Sequence, residues 1–524
     1  MRKTAFVVAL LIVLGYMSAF PSLSKADTEK ILQSATAKLD RWEGEEAWTE
    51  VKGLLDQGTT DPKVLDLASK IAFHRGDYQE AARLMKSAVG AGGESDERKA
   101  YLLFYEETIE ATGSLKRHES PHFVIGLDEK QDGILSDYLV DAMEKTYRQM
   151  AREFGFEPRE KIRIEIFPDA KAFHYASTLS PRDIEVTGAV GIAKFNKLML
   201  LSPRSLVHGY RWLDAISHEY MHYLILKMTG NKAPIWFHEG LAKYEETKWR
   251  NGPSYLSAVN ESLLAKALAD NKLIAFEKME PSLIRLETPD DVQLAYAQAA
   301  SAIEFILEKT GPGGLQEIMK KMSLSEREGA GEAIRAVLGV EFAEFERNWK
   351  DYLSTKNLKV VQGVHAKQYK IKEGKADEER LDMAEIKSMV ARNKAHLGDL
   401  LKERGRTGAA ILEYRRALAD SGDSVPIMTR LSSALIDTGR YEEALEHLKR
   451  ARDLAPDHPN IHANLGQTYL KLREFGKAKE AFVDSIEINP FNPEVHRGLT
   501  KVYETLGDPG AAAKEREITK RLGG

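Results

Sequence analysis

The chain has 524 residues, too many for one ordinary domain, and 43% of them are hydrophobic, so material for packed cores is ample. Its 75 basic and 80 acidic side chains leave a formal net charge of -5, which argues against a nucleic-acid partner, because binding a polyanion needs a concentrated basic surface. Cysteine is absent, so disulfides, thiolate metal ligands and a cysteine nucleophile are excluded together; any metal must be held by His, Asp or Glu.

At the N-terminus, MRKTAFVVALLIVLGYMSAFPSLSKA combines a basic start (Arg2, Lys3), a short apolar core from Thr4 to Leu14, and small residues at Ser24 and Ala26. This is the pattern of a secretory signal over 1–26, its core too short for the ~20 residues of a membrane span. The expectation is an exported protein, periplasmic or extracellular, with no stable membrane span after cleavage. Residues 27–117 follow as a helical, repeat-like domain. There Gly76, Tyr78, Ala81 and Ala88 have the internal offsets of Gly439, Tyr441, Ala444 and Ala451 far downstream.

Between 118 and 355 the periodicity changes. HFVIG, KIRIEIF (161–167) and KLMLL (197–201) are predicted strands, KIRIEIF with the alternation of a half-buried one. Helical patterns surround them at 136–154, 212–228 and 296–309. A small mixed sheet followed by helices makes this a central α+β domain in a chain that is otherwise mainly α. Residues 356–390, rich in Lys, Glu and Gln, are expected to form a linker or a solvated arm.

From 391 to 524 a period of 34 residues relates Leu397, Leu431, Leu465 and Leu499, and likewise Ala410, Ala444, Ala478 and Ala512. The small residues let two antiparallel helices approach, and Pro456 and Pro490 end the second helix of a unit. This array resembles the tetratricopeptide repeat, in some four units. Such stacked helix pairs imply a surface for an extended peptide or a protein partner.

The chemistry concentrates in HEYMHYLILKMTGNKAPIWFHEGLAKY, residues 218–244. On a helix, His218 and His222 lie one turn apart on one face and can share an ion. Glu219, rotated by about 100°, stands beside that ion without having to bind it. A chance HExxH is expected roughly 0.04 times in a chain of this composition. Gly230 is a natural helix stop, and Pro234 precedes a second helix. The metzincin pattern is excluded, since Ile225 and Met228 stand where it needs Gly and His. Glu239 can supply a third ligand, with His238 as a rival facing about 100° away. Gly240 inside this helix suggests close packing against the first.

HEYMH followed by WFHEGLAKY resembles the gluzincin metallopeptidases, the aminopeptidase N-like and peptidase MA-like group. The resemblance implies that His218, His222 and Glu239 bind Zn2+, that Glu219 is the general base, and that peptide bonds are cleaved by zinc-activated water. LAYAQAASAIEFILEKTG is similar to the family segment whose tyrosine faces the tetrahedral intermediate. Tyr296 is therefore the candidate oxyanion donor, against the ordinary alternative of a core aromatic. VTGAVGIAKFNKLMLL is similar to the family's glycine-rich edge strand, which implies that Gly188, Ala189, Val190 and Gly191 bind substrate. The amine-binding glutamate of the aminopeptidases is missing there, so an endopeptidase is favoured over an aminopeptidase.

The expected function is an exported zinc metallopeptidase whose repeats recruit a protein substrate or partner. The alternative is an inactive peptidase-like scaffold acting through its repeats in envelope assembly; a hydrolase of non-peptide amides is a third. Glu245 and Glu246 are expected on a solvated helix face, although they could stand behind the zinc histidines. His447, His458, His462 and His496 are expected on the repeat surface, and no second metal cluster stands out.

Overall fold

A computed structural model describes residues 24–92, 95–252, 255–325, 329–361, 369–372, 374 and 377–523, so most of the predicted signal segment lies outside the described residues. The chain divides into two compact units, 1–102 and 103–524. In the first, Lys25–Asp40, Gly44–Asp56, Pro62–Arg75 and Tyr78–Gly90 form consecutive helices. The repeat-like offsets have a packing role: Ala81 and Ala88 are fully buried. Gly76, at φ 83°, ends the third helix in a left-handed conformation that a side chain would strain.

The second unit holds a five-stranded sheet ordered β1-β2-β3-β5-β4. Its strands are β1 (Leu115–Glu119), β2 (Phe123–Asp128), β3 (Ile162–Phe167), β4 (Gly191–Lys194) and β5 (Lys197–Leu201). The β2-β3 and β3-β5 pairs are parallel and the two outer pairs antiparallel. Strand β1, LKRHE, lacks any apolar alternation that would announce it. Strand β3 is central rather than half-buried. Its polar positions are sheltered because Glu165 meets the fully buried Lys197 of β5 at 2.7 Å. Phe195 and Asn196, both at φ 55°, make the tight turn from β4 to β5, the hand that suits two twisted strands.

Five helices stand around the site, α1 (Ser136–Phe154), α2 (Pro181–Thr187), α3 (Trp212–Thr229), α4 (Ile235–Glu245) and α5 (Pro289–Leu324), and α6 (Asp377–Glu385) lies in the segment that leads to the repeats. Helix α3 is apolar nearly all round and correspondingly buried, from Trp212 through Ile216, Tyr220 and Leu224. Gly230 caps it in the left-handed conformation, and Pro234 precedes α4. Gly311, at φ 67°, interrupts α5. Among the described residues no helix is long and apolar enough to cross a membrane.

Four hairpins follow from Met389–Glu403 to Pro509–Arg521. In two of them glycine admits an aromatic ring: a Cβ on Gly398 would collide with the Tyr414 ring, and one on Gly466 would lie 2.5 Å from that of Phe482. The repeat histidines depart from expectation. His458, His462 and His496 are all buried. His462 and His496, one period apart, place Nε2 at 2.6 and 2.7 Å from the carbonyls of Pro456 and Pro490. The ring thus ties each helix start to the preceding turn, which explains burial of a polar side chain.

The segment after 355 is not a solvated arm where it is described. Lys359 N–H donates to Glu261, and Val361 N–H to Ser262. Further on, Val207 N–H donates to the Lys370 carbonyl and Lys372 N–H to that of Ser205, around a bridge between Leu206 and Ile371. Residues 362–368 lie outside the described residues.

Candidate functional site

Helix α3 projects His218 and His222 side by side, their ring centroids 4.7 Å apart and their planes nearly perpendicular. The turn at 230–234 brings α4 back across them. Glu239 Oε2 then stands 3.3 Å from His218 Nε2 and 3.4 Å from His222 Nε2. One donor atom from each of the three residues lies within 4.8 Å of the others. His238 is not part of this group; its ring lies 5.6 Å from that of His222. Burial, helped by His222, pushes the His238 pKa down to about 3, so that ring is neutral.

The electrostatics fit a cation. Burial would raise the Glu239 carboxyl, but His222 and His218 outweigh it and hold its pKa well below the usual carboxylate range. Burial would likewise lower His218, yet the carboxylates of Glu239 and Glu246 push it up to about 10. Without a metal the group therefore keeps a proton between imidazole and carboxylate. A bound cation would replace that proton, which is how metal binding and proton release are linked. Two imidazoles and a carboxylate suit zinc in an open, water-accessible coordination.

Glu219 is 8% exposed, and burial raises its pKa against the pull of His222 and His218. Its position explains Gly191. A Cβ there would lie 2.9 Å from Glu219 Cγ and 2.8 Å from Leu200 Cδ1, so any larger residue on β4 would push the carboxylate aside. Tyr296 of α5 sets its ring 6.1 Å from that of His218. Burial first, then the charges of Glu239 and Glu219, raise its pKa well above that of free tyrosine, so the hydroxyl keeps its proton and can donate.

Other expected residues are placed differently. Gly188 is not in a strand: it caps α2 at φ 74°, and a Cβ would lie 2.9 Å from the Tyr369 ring. Val190 is buried, its N–H donating to the Gly188 carbonyl, and Ala189 lies between them. Of the four residues, only Gly191 belongs to edge strand β4. Gly240 does permit a close approach, but to α5 rather than α3: its Cβ would sit 2.5 Å from the Ala299 carbonyl oxygen. That contact places Glu239 and Tyr296 on two helices locked backbone to backbone.

Neither acid after α4's tyrosine is on a solvated face. Glu246 Oε2 lies 3.2 Å from His218 Nδ1, while its other oxygen takes Lys243 Nζ at 2.5 Å. A carboxylate in this position fixes the imidazole ring and its tautomer, as it does where such a ring binds a metal. The signal was present in the sequence, since Glu239, Lys243 and Glu246 recur at i, i+4 and i+7. Glu245 is fully buried elsewhere, paired with Lys248 at 2.6 Å. Tyr369, from the connecting segment, packs edge-on against Tyr210 with centroids 6.1 Å apart, and no local pattern announces it.

Known families match the same regions. A model of the Peptidase MA superfamily matches residues 142–355, and one of the tetratricopeptide repeat matches 401–463 and 435–502. No curated protein matches the chain. Among solved structures, a crystal structure of MamA is 21% identical, covering 29% of this chain and 96% of its own at a TM-score of 0.24. A second crystal structure of MamA is 23% identical, with coverages of 25% and 72% and a TM-score of 0.24. A thermophilic TPR protein of Thermus thermophilus is 23% identical, covering 25% and 74% at 0.24. The chain thus combines a Peptidase MA superfamily domain over residues 142–355 with tetratricopeptide repeats that follow it.

Proposed function

We propose that this protein is an exported zinc-dependent peptidase that cleaves within protein chains. The observation that carries the reading is the convergence of His218, His222 and Glu239, with Glu219 and Tyr296 beside them. His218, His222 and Glu239 would hold the zinc, and Glu246 would orient His218. When bound, zinc would supply a Lewis acid that activates water and polarises the scissile carbonyl.

The chain's own residues do the rest. Glu219, its pKa raised by burial, accepts a proton from the attacking water and returns it to the leaving amine. Tyr296, held protonated, donates to the oxygen on which negative charge develops. Edge strand β4, ending the sheet beside Glu219, offers backbone groups to an extended peptide. The 188–191 segment carries no acid to hold a free amine, which favours internal cleavage. The repeats deliver the protein substrate or hold a partner.

The test is zinc content together with hydrolysis of unfolded proteins. One equivalent lost in His222→Ala, with cleavage abolished by Glu219→Gln, is the expected result. Cleavage undiminished in Glu219→Gln would reject the assignment. Zinc-free protein with no cleavage would leave the repeats as the working part.

A further inference from the structure

A second group of ligand-type side chains lies where the peptidase domain, the connecting helix and the repeats meet. His208 comes from the loop that leads into α3, Asp382 from α6, and His458 from the residue capping helix Pro459–Lys471. One donor atom from each lies within 4.8 Å of the others. The two imidazole centroids are 4.4 Å apart, and His208 Nε2 stands 3.2 Å from Asp382 Oδ1. We propose that His208, Asp382 and His458 form a second metal site, for a divalent cation of the zinc class, separate from the catalytic group.

Three observations favour a cation over a plain hydrogen-bonded cluster. First, His208 Nδ1 is buried with no hydrogen-bond partner among the described residues, and Asp382 Oδ1 has only His208 Nε2, at 3.2 Å, beside it. A buried polar atom left this way loses its hydration without compensation unless something binds it. Second, the other Asp382 oxygen is already held, 3.6 Å from Arg430, which is itself anchored on Asp399 at 3.2 Å. One oxygen on a fixed cation and one toward the imidazoles is the way an outer partner orients a ligating carboxylate. Third, tetrahedral zinc with bonds of about 2.0–2.1 Å wants its donors roughly 3.4 Å apart, which small side-chain rotations reach from the present spacing. Two imidazoles and a carboxylate without thiolate suit zinc and its neighbours rather than calcium or magnesium.

The surroundings say what such an ion would do. Directly after His208, a Cβ on Gly209 would collide with the Ile488 carbonyl oxygen, and Tyr210 N–H donates to that oxygen at 3.0 Å. Arg211 reaches Asp457 at 2.8 Å, and the Trp212 indole donates to the Ile486 carbonyl. The segment that starts the catalytic helix is therefore already docked on the repeats, and the ion would pin it there.

Zn2+ alone is the probe, added to the stripped full-length chain and counted by elemental analysis after dialysis. Two equivalents are expected in the wild type, one in His222→Ala, one in His458→Ala, and none in the double variant. In the His222→Ala background, Asp382→Asn should weaken the remaining ion by at least about tenfold. That near-isosteric change keeps the test valid if His458→Ala does not fold. Zinc-free His222→Ala, or a remaining ion indifferent to both His458→Ala and Asp382→Asn, would overturn the proposal. One equivalent kept in His222→Ala but lost in His458→Ala would instead sink the catalytic assignment while leaving this site standing.

Discussion

Two groups of imidazoles and carboxylates stand in the same unit, built in opposite ways. His218, His222 and Glu239 come from two consecutive helices, so helix pitch and one short turn bring them together. His208, Asp382 and His458 come from three distant segments and meet only because the repeats dock against the peptidase domain. The first is a property of local geometry and the second of tertiary packing. The difference teaches that a spacing motif finds only the kind of site a single stretch of chain can build.

The largest expected effect lies at the local group. Glu219→Gln removes the proposed proton acceptor while preserving shape, and should lower turnover by about 10²–10⁴-fold with metal content unchanged. Single-turnover assays beside elemental analysis check this. His458→Ala should leave the chemical step within a few fold, which keeps the two groups functionally distinct.

A buried carboxylate outside both groups shows what they avoid. Glu239 has histidines at hand and its pKa falls; Asp132 has none, and burial pushes it up to about 6. Its Oδ1 accepts from Ser202 at 2.8 Å, and Oδ2 has no hydrogen-bond partner among the described residues. Since its folded pKa exceeds the ordinary 3.8, the folded chain keeps a proton that the unfolded chain has lost. Stability from this residue therefore falls as pH rises from about 4 to 6 and is level above that. Asp132→Asn should remove that fall, a gain of up to roughly 3 kcal/mol near pH 7, seen as a higher urea midpoint at pH 7 but not at pH 4.

The long-range group rests on a docked interface, so weakening that interface should separate the pair further. Arg211 joins Asp457, Asp484 and Glu487 of the repeats at 2.8, 3.2 and 3.1 Å. Arg211→Met strands these acids. The arginine is partly exposed, so the cost should be about 2 kcal/mol, below that of a fully buried pair. Hydrogen exchange should then loosen around 206–212 and 484–488 while α4 stays protected.

The same division governs what the sequence disclosed. The 34-residue period, the predicted strands of the sheet centre and helix Ser136–Phe154 were legible because each obeys one local repeat. The pairing of His218 with His222 was legible for the same reason. Strand β1 was not, since LKRHE has no apolar alternation and is a strand only because β2 lies beside it. Gly240 announced a close contact but not its partner, because α5 arrives some fifty residues later. His458 reads as a surface residue in its own stretch of sequence, and its burial depends on a loop 250 positions away.

Glu246 gives the smallest and most selective test, because it belongs to one group and not the other. Its carboxylate faces His218 Nδ1 at 3.2 Å and is itself held by Lys243. Glu246→Gln keeps an oxygen that can accept from the imidazole but loses the charge that makes the ring a better donor to metal. Zinc affinity at the local group should fall by about tenfold, the low end of what an outer partner contributes. Competition with a chelator in the His458→Ala background isolates that loss. An equal loss in the His222→Ala background would mean that the two groups are coupled through α3, whose first turn is docked on the repeats and whose middle carries both histidines.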